Sequence, residues 1–120
     1  MISDFKDLRI WQKGMEIAKM CYFLTRQFPK EELFGMTQQI RRSAASIPAN
    51  IAEGYGRRSP GDYARFLNIA VGSTNELQTH LILSASVNLC TQQEIQQILD
   101  LLLEESKMIR SLIQKLQDKK

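Results

Sequence analysis

The 120-residue chain is 43% hydrophobic and 24% charged, which fits one globular domain and excludes an intrinsically disordered protein. No apolar run approaches the roughly 20 residues that span a bilayer, and no apolar stretch follows a basic head near the start, so we expect a cytoplasmic protein without a signal peptide or a membrane partner. The net charge of +3 excludes a strongly basic protein, although the excess of lysine and arginine lies in the first half of the chain.

The first predicted helix covers residues 7–28 and carries two apolar stripes. Within each stripe the spacing alternates between three and four residues, as on one face of an amphipathic helix. At 3.6 residues per turn the stripes are about 120° apart, so one can face its own bundle while the other is left for a further contact. Pro29 ends this helix. The stripes are Leu8, Trp11, Met15, Ala18, Tyr22 and Thr25, and Ile10, Gly14, Ile17, Cys21, Leu24 and Phe28.

The second predicted helix covers residues 35–56 and contains Pro48. Proline lacks the N–H that would bond the carbonyl of Ala44, so we expect a kink at this position. The apolar rhythm keeps its phase across the proline, which favours one kinked helix over two. A row of small residues beside this stripe would let a neighbouring backbone come close. The stripe is Ile40, Ala44, Ile47, Ile51 and Tyr55, and the small residues are Ala45, Ala49, Ala52 and Gly56.

The third predicted helix, residues 60–87, has a clear start signal. Ser59 is the expected N-cap, Pro60 fits the first helical position, and Asp62 follows three residues after the cap. Asn88 is the expected end. The apolar stripe is Tyr63, Leu67, Ala70, Thr74, Leu77, Leu81 and Ser84.

The fourth predicted helix, residues 92–117, begins with a capping box formed by Thr91 and Glu94. No period-two strand pattern competes anywhere in the chain. Four helices with short connections predict an all-α, antiparallel four-helix bundle of up-down-up-down topology in a single domain, residues 1–120. The fourth stripe is Ile95, Leu99, Leu102, Ser106, Ile109, Ile113 and Leu116, widened by Leu101, Met108 and Leu112.

Residues with catalytic or metal-binding chemistry are sparse. His80 is the one histidine, and its spacing from Glu76 fits a contact between i and i+4 better than a metal site, which needs a matching pair on another helix. Cys21 and Cys90 lie far apart without metal-ligand spacing and are expected to be reduced thiols. The sequence predicts no enzyme, no metal site and no cofactor.

The glycine-containing turn between the second and third helices carries two adjacent arginines. It lacks the spacing of a phosphate-binding loop, and no strand precedes it. We expect Gly54 and Gly56 to end the second helix. Arg57 and Arg58 near the carboxyl end of that helix also favour its dipole without any ligand.

The chain resembles the bacterial four-helix-bundle family known as 23S rRNA intervening-sequence proteins in two segments, "DFKDLRIWQKGMEIA" and "LFGMTQQIRRSAASIPANIAEGYGRRSPGDYARFLNIAVGSTNELQTHL". Accessory variability proteins of diversity-generating retroelements are similar to this family. The resemblance implies a bundle that assembles into a homopentameric barrel. In the retroelement branch it implies a basic protein that binds nucleic acid and a reverse transcriptase. At +3 this chain is less basic than that branch, which argues against a reverse-transcriptase partner and leaves nucleic-acid binding open.

Two hypotheses about function follow from these patterns. In the first, a homo-oligomer with RNA or DNA as partner binds above all structured RNA or an RNA–DNA hybrid, contacting phosphates without reading bases. In the second, the chain is a structural or protein-interaction module, and its arginines pair with acids such as Glu53 or Glu76 across helices or subunits. Adjacent arginines in a helix point about 100° apart, so at least one of Arg41 and Arg42 is expected to face protein. The candidate nucleic-acid-binding residues are Arg41, Arg42, Arg57, Arg58, Arg65 and Lys13.

Overall fold

A computed structural model describes residues 2–118 of the chain. The helices are α1 (Arg9–Thr25), α2 (Met36–Tyr55), α3 (Pro60–Ser86) and α4 (Gln92–Asp118), with short 3-10 turns at Phe5–Asp7 and Lys30–Glu32. Within residues 2–118 there is no strand. The predicted all-α, four-helix fold is confirmed, and no helix in this part of the chain is long and apolar enough to cross a membrane.

The four helices form a rod of 47 × 22 × 20 Å. Helix α1 packs against α2 and α4, and helix α3 packs against the same two. Arg41 reaches Thr25 at the end of α1, whereas Gly14 lies beside Ile47. Positions nearer the amino end of α1 therefore contact positions nearer the carboxyl end of α2, so these two helices are antiparallel.

The core is built from one apolar stripe of each helix. In α1 it is the stripe that begins at Ile10, while the stripe that begins at Leu8 is partly exposed. Leu77 of α3 and Leu102 of α4 are almost completely buried, as predicted. The residues with no exposed surface include Ile17, Cys21, Ile40, Ala44, Ile47, Ile51, Leu67, Ala70, Leu81, Ile95 and Ile109.

The amino ends of α3 and α4 are capped as predicted. The Asp62 N–H donates to Ser59 Oγ over 3.1 Å, with Pro60 at the first helical position. At α4 the Glu94 N–H donates to Thr91 Oγ1 over 3.1 Å, and the Thr91 N–H donates to Glu94 Oε1 over 2.9 Å. Each bond satisfies a backbone donor that the helix itself leaves unpaired.

The carboxyl end of α3 is a Schellman motif with asparagine in the left-handed position. Asn88 has φ of 66°, a region that asparagine tolerates better than most residues. The Leu89 N–H donates to the Ser84 carbonyl over 2.9 Å, and the Asn88 N–H donates to the Ala85 carbonyl over 3.2 Å. These bonds pair two carbonyls of the last turn and confirm Asn88 as the residue that ends the helix.

Helix α1 is shorter than predicted, because it ends at Thr25 and not at Phe28. Residues 26–28 form a tight turn, in which the Phe28 N–H donates to the Thr25 carbonyl over 3.1 Å.

Helix α2 runs through Pro48 without interruption. A kink at this proline stays a prediction.

Gly54 does not end a helix, contrary to the expectation from the turn sequence. It lies inside α2, and the cap is Gly56, which has an ordinary φ of −78°. Gly54 lets α3 approach: a β-carbon there would be 2.9 Å from the Phe66 Cβ and 3.1 Å from the Tyr63 carbonyl oxygen. Packing between helices, and not turn geometry, requires glycine at this position.

Candidate functional site

The candidate arginines lie in two groups at opposite ends of α2. Arg41 and Arg42 are in its second turn, and Arg57 and Arg58 lie just beyond its end. From Arg42 to the end of the helix at Tyr55 there are 13 residues, which span about 20 Å. One protomer therefore does not bring the candidate residues together into a single site.

The group at the α2–α3 turn, which we call the turn cluster, comprises Arg57, Arg58, Arg65 and Phe66. The guanidinium carbons of Arg57 and Arg65 lie 4.6 Å and 4.4 Å from the centre of the Phe66 ring. Arg58 is exposed and has no ion pair with any residue in 2–118. The ring thus holds two guanidinium groups near each other at the surface, beside a third arginine.

Two members of the turn cluster have acidic partners. Arg57 pairs with Glu53 over 2.8 Å, although along one helix and not across helices as the second hypothesis expects, and Arg65 pairs with Asp62 over 3.3 Å. Both pairs are exposed and join residues on the same helix or its end. Such pairs stabilise a protein by only about 0.2–1 kcal/mol. Little stability is therefore lost if a phosphate replaces the carboxylate as the partner of the arginine.

At the other end of α2, Arg41 is engaged within the protomer. Its Nε donates to the Thr25 hydroxyl over 2.9 Å, and its guanidinium carbon lies 4.7 Å from the centre of the Tyr22 ring. Arg42 is exposed and forms no ion pair within residues 2–118. The expectation that one of two adjacent arginines faces protein is met by Arg41.

Lys13 lies at the seam between α1 and α4, away from both arginine groups. Its Nζ is 3.1 Å from Glu104 Oε1, and only 20% of its side chain is exposed. It ties two helices of the bundle together and is poorly placed to meet a phosphate.

A groove between α1 and α2, which we call the α1–α2 groove, has a volume of about 480 Å³. Its floor is the row of small residues that the sequence singled out in α2, and its walls come from the exposed stripe of α1. Phe23 at its edge is 59% exposed. The lining residues are Trp11, Met15, Ala18, Lys19, Tyr22, Phe23, Arg26, Ala45, Pro48, Ala49 and Ala52.

A second groove of about 420 Å³ adjoins the first, and we call it the Phe34 groove. Phe34 precedes α2 and is 87% exposed. Sequence reasoning missed this residue, because an apolar pair just before a helix usually packs back onto it. The lining residues are Tyr22, Leu33, Phe34, Thr37, Gln38, Arg41, Arg42 and Ala45.

Glu105 was also missed, and it is the one fully buried acid within residues 2–118. Neither carboxyl oxygen has a hydrogen-bond partner in the part of the chain that the structure describes. Burial raises the pKa of this carboxyl to about 8, and the charge of Lys13 opposes that rise. Glu105 has the spacing of the buried residues Leu102 and Ile109, which is the signal that could have found it.

Within residues 2–118, no cluster of histidine, cysteine, aspartate or glutamate side chains could hold a metal ion. Glu76 is exposed, and His80 Nε2 is buried without a partner among the described residues. Both cysteines are free thiols, Cys21 buried and Cys90 half-buried. Burial raises the pKa of Cys21 to about 12.

Comparison with protein families matches residues 6–111 to the 23S rRNA-intervening sequence protein family. Among solved structures, the chain is similar to the crystal structure of a protein with unknown function from the S23 ribosomal protein family of Bacteroides thetaiotaomicron VPI-5482. The TM-score is 0.78 at 30% sequence identity, and the match covers 87% of this chain and 97% of that one. No curated protein matches the chain.

Proposed function

The chain belongs to the 23S rRNA-intervening sequence protein family, and from this premise we propose that it is a non-enzymatic cytoplasmic protein that binds RNA or an RNA–DNA hybrid through phosphate contacts. The observation that carries this proposal is the turn cluster. Arg57 and Arg65 are held against the Phe66 ring, and Arg58 stands beside them without an acidic partner in residues 2–118. A guanidinium fork can bind two oxygens of one phosphate, and it does so without regard to base sequence.

This proposal assigns phosphate binding to fewer residues than the sequence predicted. Arg57, Arg58 and Arg65 form the phosphate-binding surface, and Arg42 is a separate exposed arginine at the far end of α2. Arg41 and Lys13 have structural roles, because each is bonded to another helix.

We also propose that the protein is a homo-oligomer in which the α1–α2 groove packs against another copy. The groove exposes aromatic rings above a floor of alanines, and one small bundle offers nothing of its own to cover them. The family resemblance favours a pentamer. Five protomers of +3 each would repeat the turn cluster around an axis, which strengthens weak phosphate contacts through avidity.

The test is a salt titration of binding to mixed-sequence RNA, DNA and hybrid oligonucleotides. Affinity should fall steeply with salt, with a log–log slope of roughly 0.7–0.9 per phosphate neutralised. The double variant R57E/R58E should bind all sequences more weakly and with a shallower slope. The matched control R110E/K115E makes the same charge change on exposed positions of α4 and should retain most of the affinity.

The bonds that arginine and lysine side chains make within the protomer favour a second function. Arg41 and Lys13 are bonded across helices, as expected of a structural or protein-interaction module, whereas Arg57 and Arg65 pair with acids only three or four residues away. If the parent protein binds no oligonucleotide at about 50 mM salt, where phosphate contacts are strong, the nucleic-acid proposal fails and this second function replaces it.

A further inference from the structure

The Phe34 groove differs in chemistry from the α1–α2 groove that it adjoins. The α1–α2 groove has alanines and a proline along its floor, as a close contact between subunits requires. The Phe34 groove has Thr37, Gln38, Arg41 and Arg42 along one side and an almost fully exposed aromatic ring on the other. Both grooves carry cationic side chains, Lys19 and Arg26 in the first and Arg41 and Arg42 in the second, so what distinguishes the Phe34 groove is an almost fully exposed ring facing two adjacent arginines.

We propose that the Phe34 groove binds an unpaired nucleotide of a single-stranded nucleic acid, with the base stacked on Phe34 and the phosphate held by Arg42. Exposed aromatic rings beside cationic side chains are how proteins hold single strands without sequence preference. Every base has a face that can stack on a phenylalanine ring, whereas a paired base within a duplex does not offer that face.

The charges around the groove favour an anionic occupant. Arg42 is exposed and has no ion pair with any residue in 2–118, so its guanidinium is available to a phosphate. Arg41 is fixed by its bond to Thr25 and by the Tyr22 ring, and it adds positive charge to the wall of the groove. The nearby Glu32 carboxylate is turned toward the backbone, since its Oε1 accepts the Met36 N–H at the start of α2 over 3.0 Å, but it keeps its negative charge and partly offsets the two arginines.

The size of the groove fits this occupant. A volume of about 420 Å³ lies within the range of small-molecule sites and is open enough for a nucleotide that remains joined to its strand. Gln38 adds an amide that can both donate and accept, which suits the polar edge of any base. The groove is thus a platform for one base, at the opposite end of α2 from the turn cluster.

This inference rests on the proposed function in requiring that the protein binds nucleic acid, but it depends on different residues. The probes are a single-stranded oligonucleotide, a duplex of the same length and an abasic strand of the same length, each measured by fluorescence anisotropy. The variants are F34A, F34W and the control L103A, which removes an exposed apolar but non-aromatic side chain from α4.

We expect F34A to weaken binding of the single strand by roughly 5-fold to 150-fold, the range measured for one stacked base. Binding of the duplex and of the abasic strand should not change, because neither offers an unpaired base. F34W should restore binding of the single strand, and L103A should behave as the parent.

Three outcomes overturn the inference. If F34A binds the single strand as tightly as the parent does, no base stacks on Phe34, although the turn cluster can still bind phosphates. If F34A weakens all three ligands alike and lowers the molecular mass in light scattering, the groove is a protein contact. If the parent binds none of the probes, this inference and the proposed function fail together.

Discussion

The Glu105 carboxyl lies against the backbone of Gly14, with Oε2 only 3.0 Å from the position that a β-carbon would take there. Ile47 and Pro48 of α2 close the same space at 3.4 Å and 3.5 Å. A buried acid is thus accommodated at the centre of the bundle because the facing residue has no side chain. This relationship gives the first two predictions.

Stability should fall as the pH rises from about 4.5 to about 8. The pKa of Glu105 is about 8 in the folded protein, against an ordinary value of 4.5, so the folded state keeps a proton that the unfolded state releases. The contribution is fully present below pH 4.5 and is lost by about pH 8, at no more than about 1.4 kcal/mol per pH unit. Urea unfolding of the parent and of E105Q at several pH values measures it.

The amide in E105Q cannot ionise, so its free energy of unfolding should change less with pH than that of the parent. The control is E76Q, which should keep the parent's pH dependence because Glu76 is exposed on α3 and does not pair with Lys13. Parallel curves for the parent and E105Q would show that Glu105 is already ionised in the folded protein.

Gly14 and Glu105 should be energetically coupled. G14A should lower the free energy of unfolding by about 1–3 kcal/mol, because the added methyl group meets an enclosed carboxyl. In the E105A background the same change should raise stability by about 0.5–1 kcal/mol, since alanine favours a helix over glycine. A double-mutant cycle measures this reversal, and simple additivity would refute the contact.

Glycines in α2 and α3 should respond to alanine with opposite signs. G54A places a methyl group 2.9–3.1 Å from Phe66 and the Tyr63 carbonyl, and it should reduce stability by about 1–3 kcal/mol. A β-carbon at Gly72 meets nothing within 4 Å, so G72A should increase stability by about 0.5–1 kcal/mol. If G72A instead weakens self-association, this face of α3 lies in a subunit interface.

Core leucines should be far more sensitive than exposed apolar residues. L77A and L102A should each reduce the free energy of unfolding by about 2–5 kcal/mol, because both side chains are buried. The control I82A removes a side chain that is nearly half exposed on α3 and should change stability by at most about 0.5 kcal/mol. Equal effects in thermal or urea unfolding would mean that the faces of α3 are wrongly assigned.

A negative charge in the α1–α2 groove should break up the oligomer. A49E places a carboxylate on the alanine floor, whereas Q97E adds the same charge at an exposed position of α4. Light scattering at tens of micromolar should give a mass several times that of the 13.8 kDa chain for the parent and Q97E, and a lower mass for A49E. A monomeric parent would refute the assembly.

The helices were predictable because their signals are local. The caps at Ser59 and Thr91 and the left-handed Asn88 use only residues within one helical turn, so spacing in the sequence is enough to find them. The early end of α1 at Thr25 was not predictable, because its stripes continue through Phe28 into a turn that keeps the same apolar spacing.

The roles of individual polar residues depended on contacts distant in sequence. Arg41 is held by Thr25, and Lys13 pairs with Glu104, which is 91 residues away. The apolar spacing predicted that Ser106 faces the core of the bundle, but the structure buries Glu105 there. Adjacent positions near the edge of a stripe fit the spacing almost equally well, so the sequence could not distinguish the two.

Helix α2 sets a length scale for any ligand that contacts both of its ends. Pro48 does not interrupt it, so the exposed Arg42 lies 13 helical residues, or about 20 Å, from Tyr55, the last residue of the helix, beyond which the turn cluster begins. A duplex strand that advances 3.4 Å per nucleotide needs about six nucleotides to cover that distance. The helix would act as a molecular ruler: affinity would increase abruptly once an oligonucleotide exceeds that length, and only gradually beyond it.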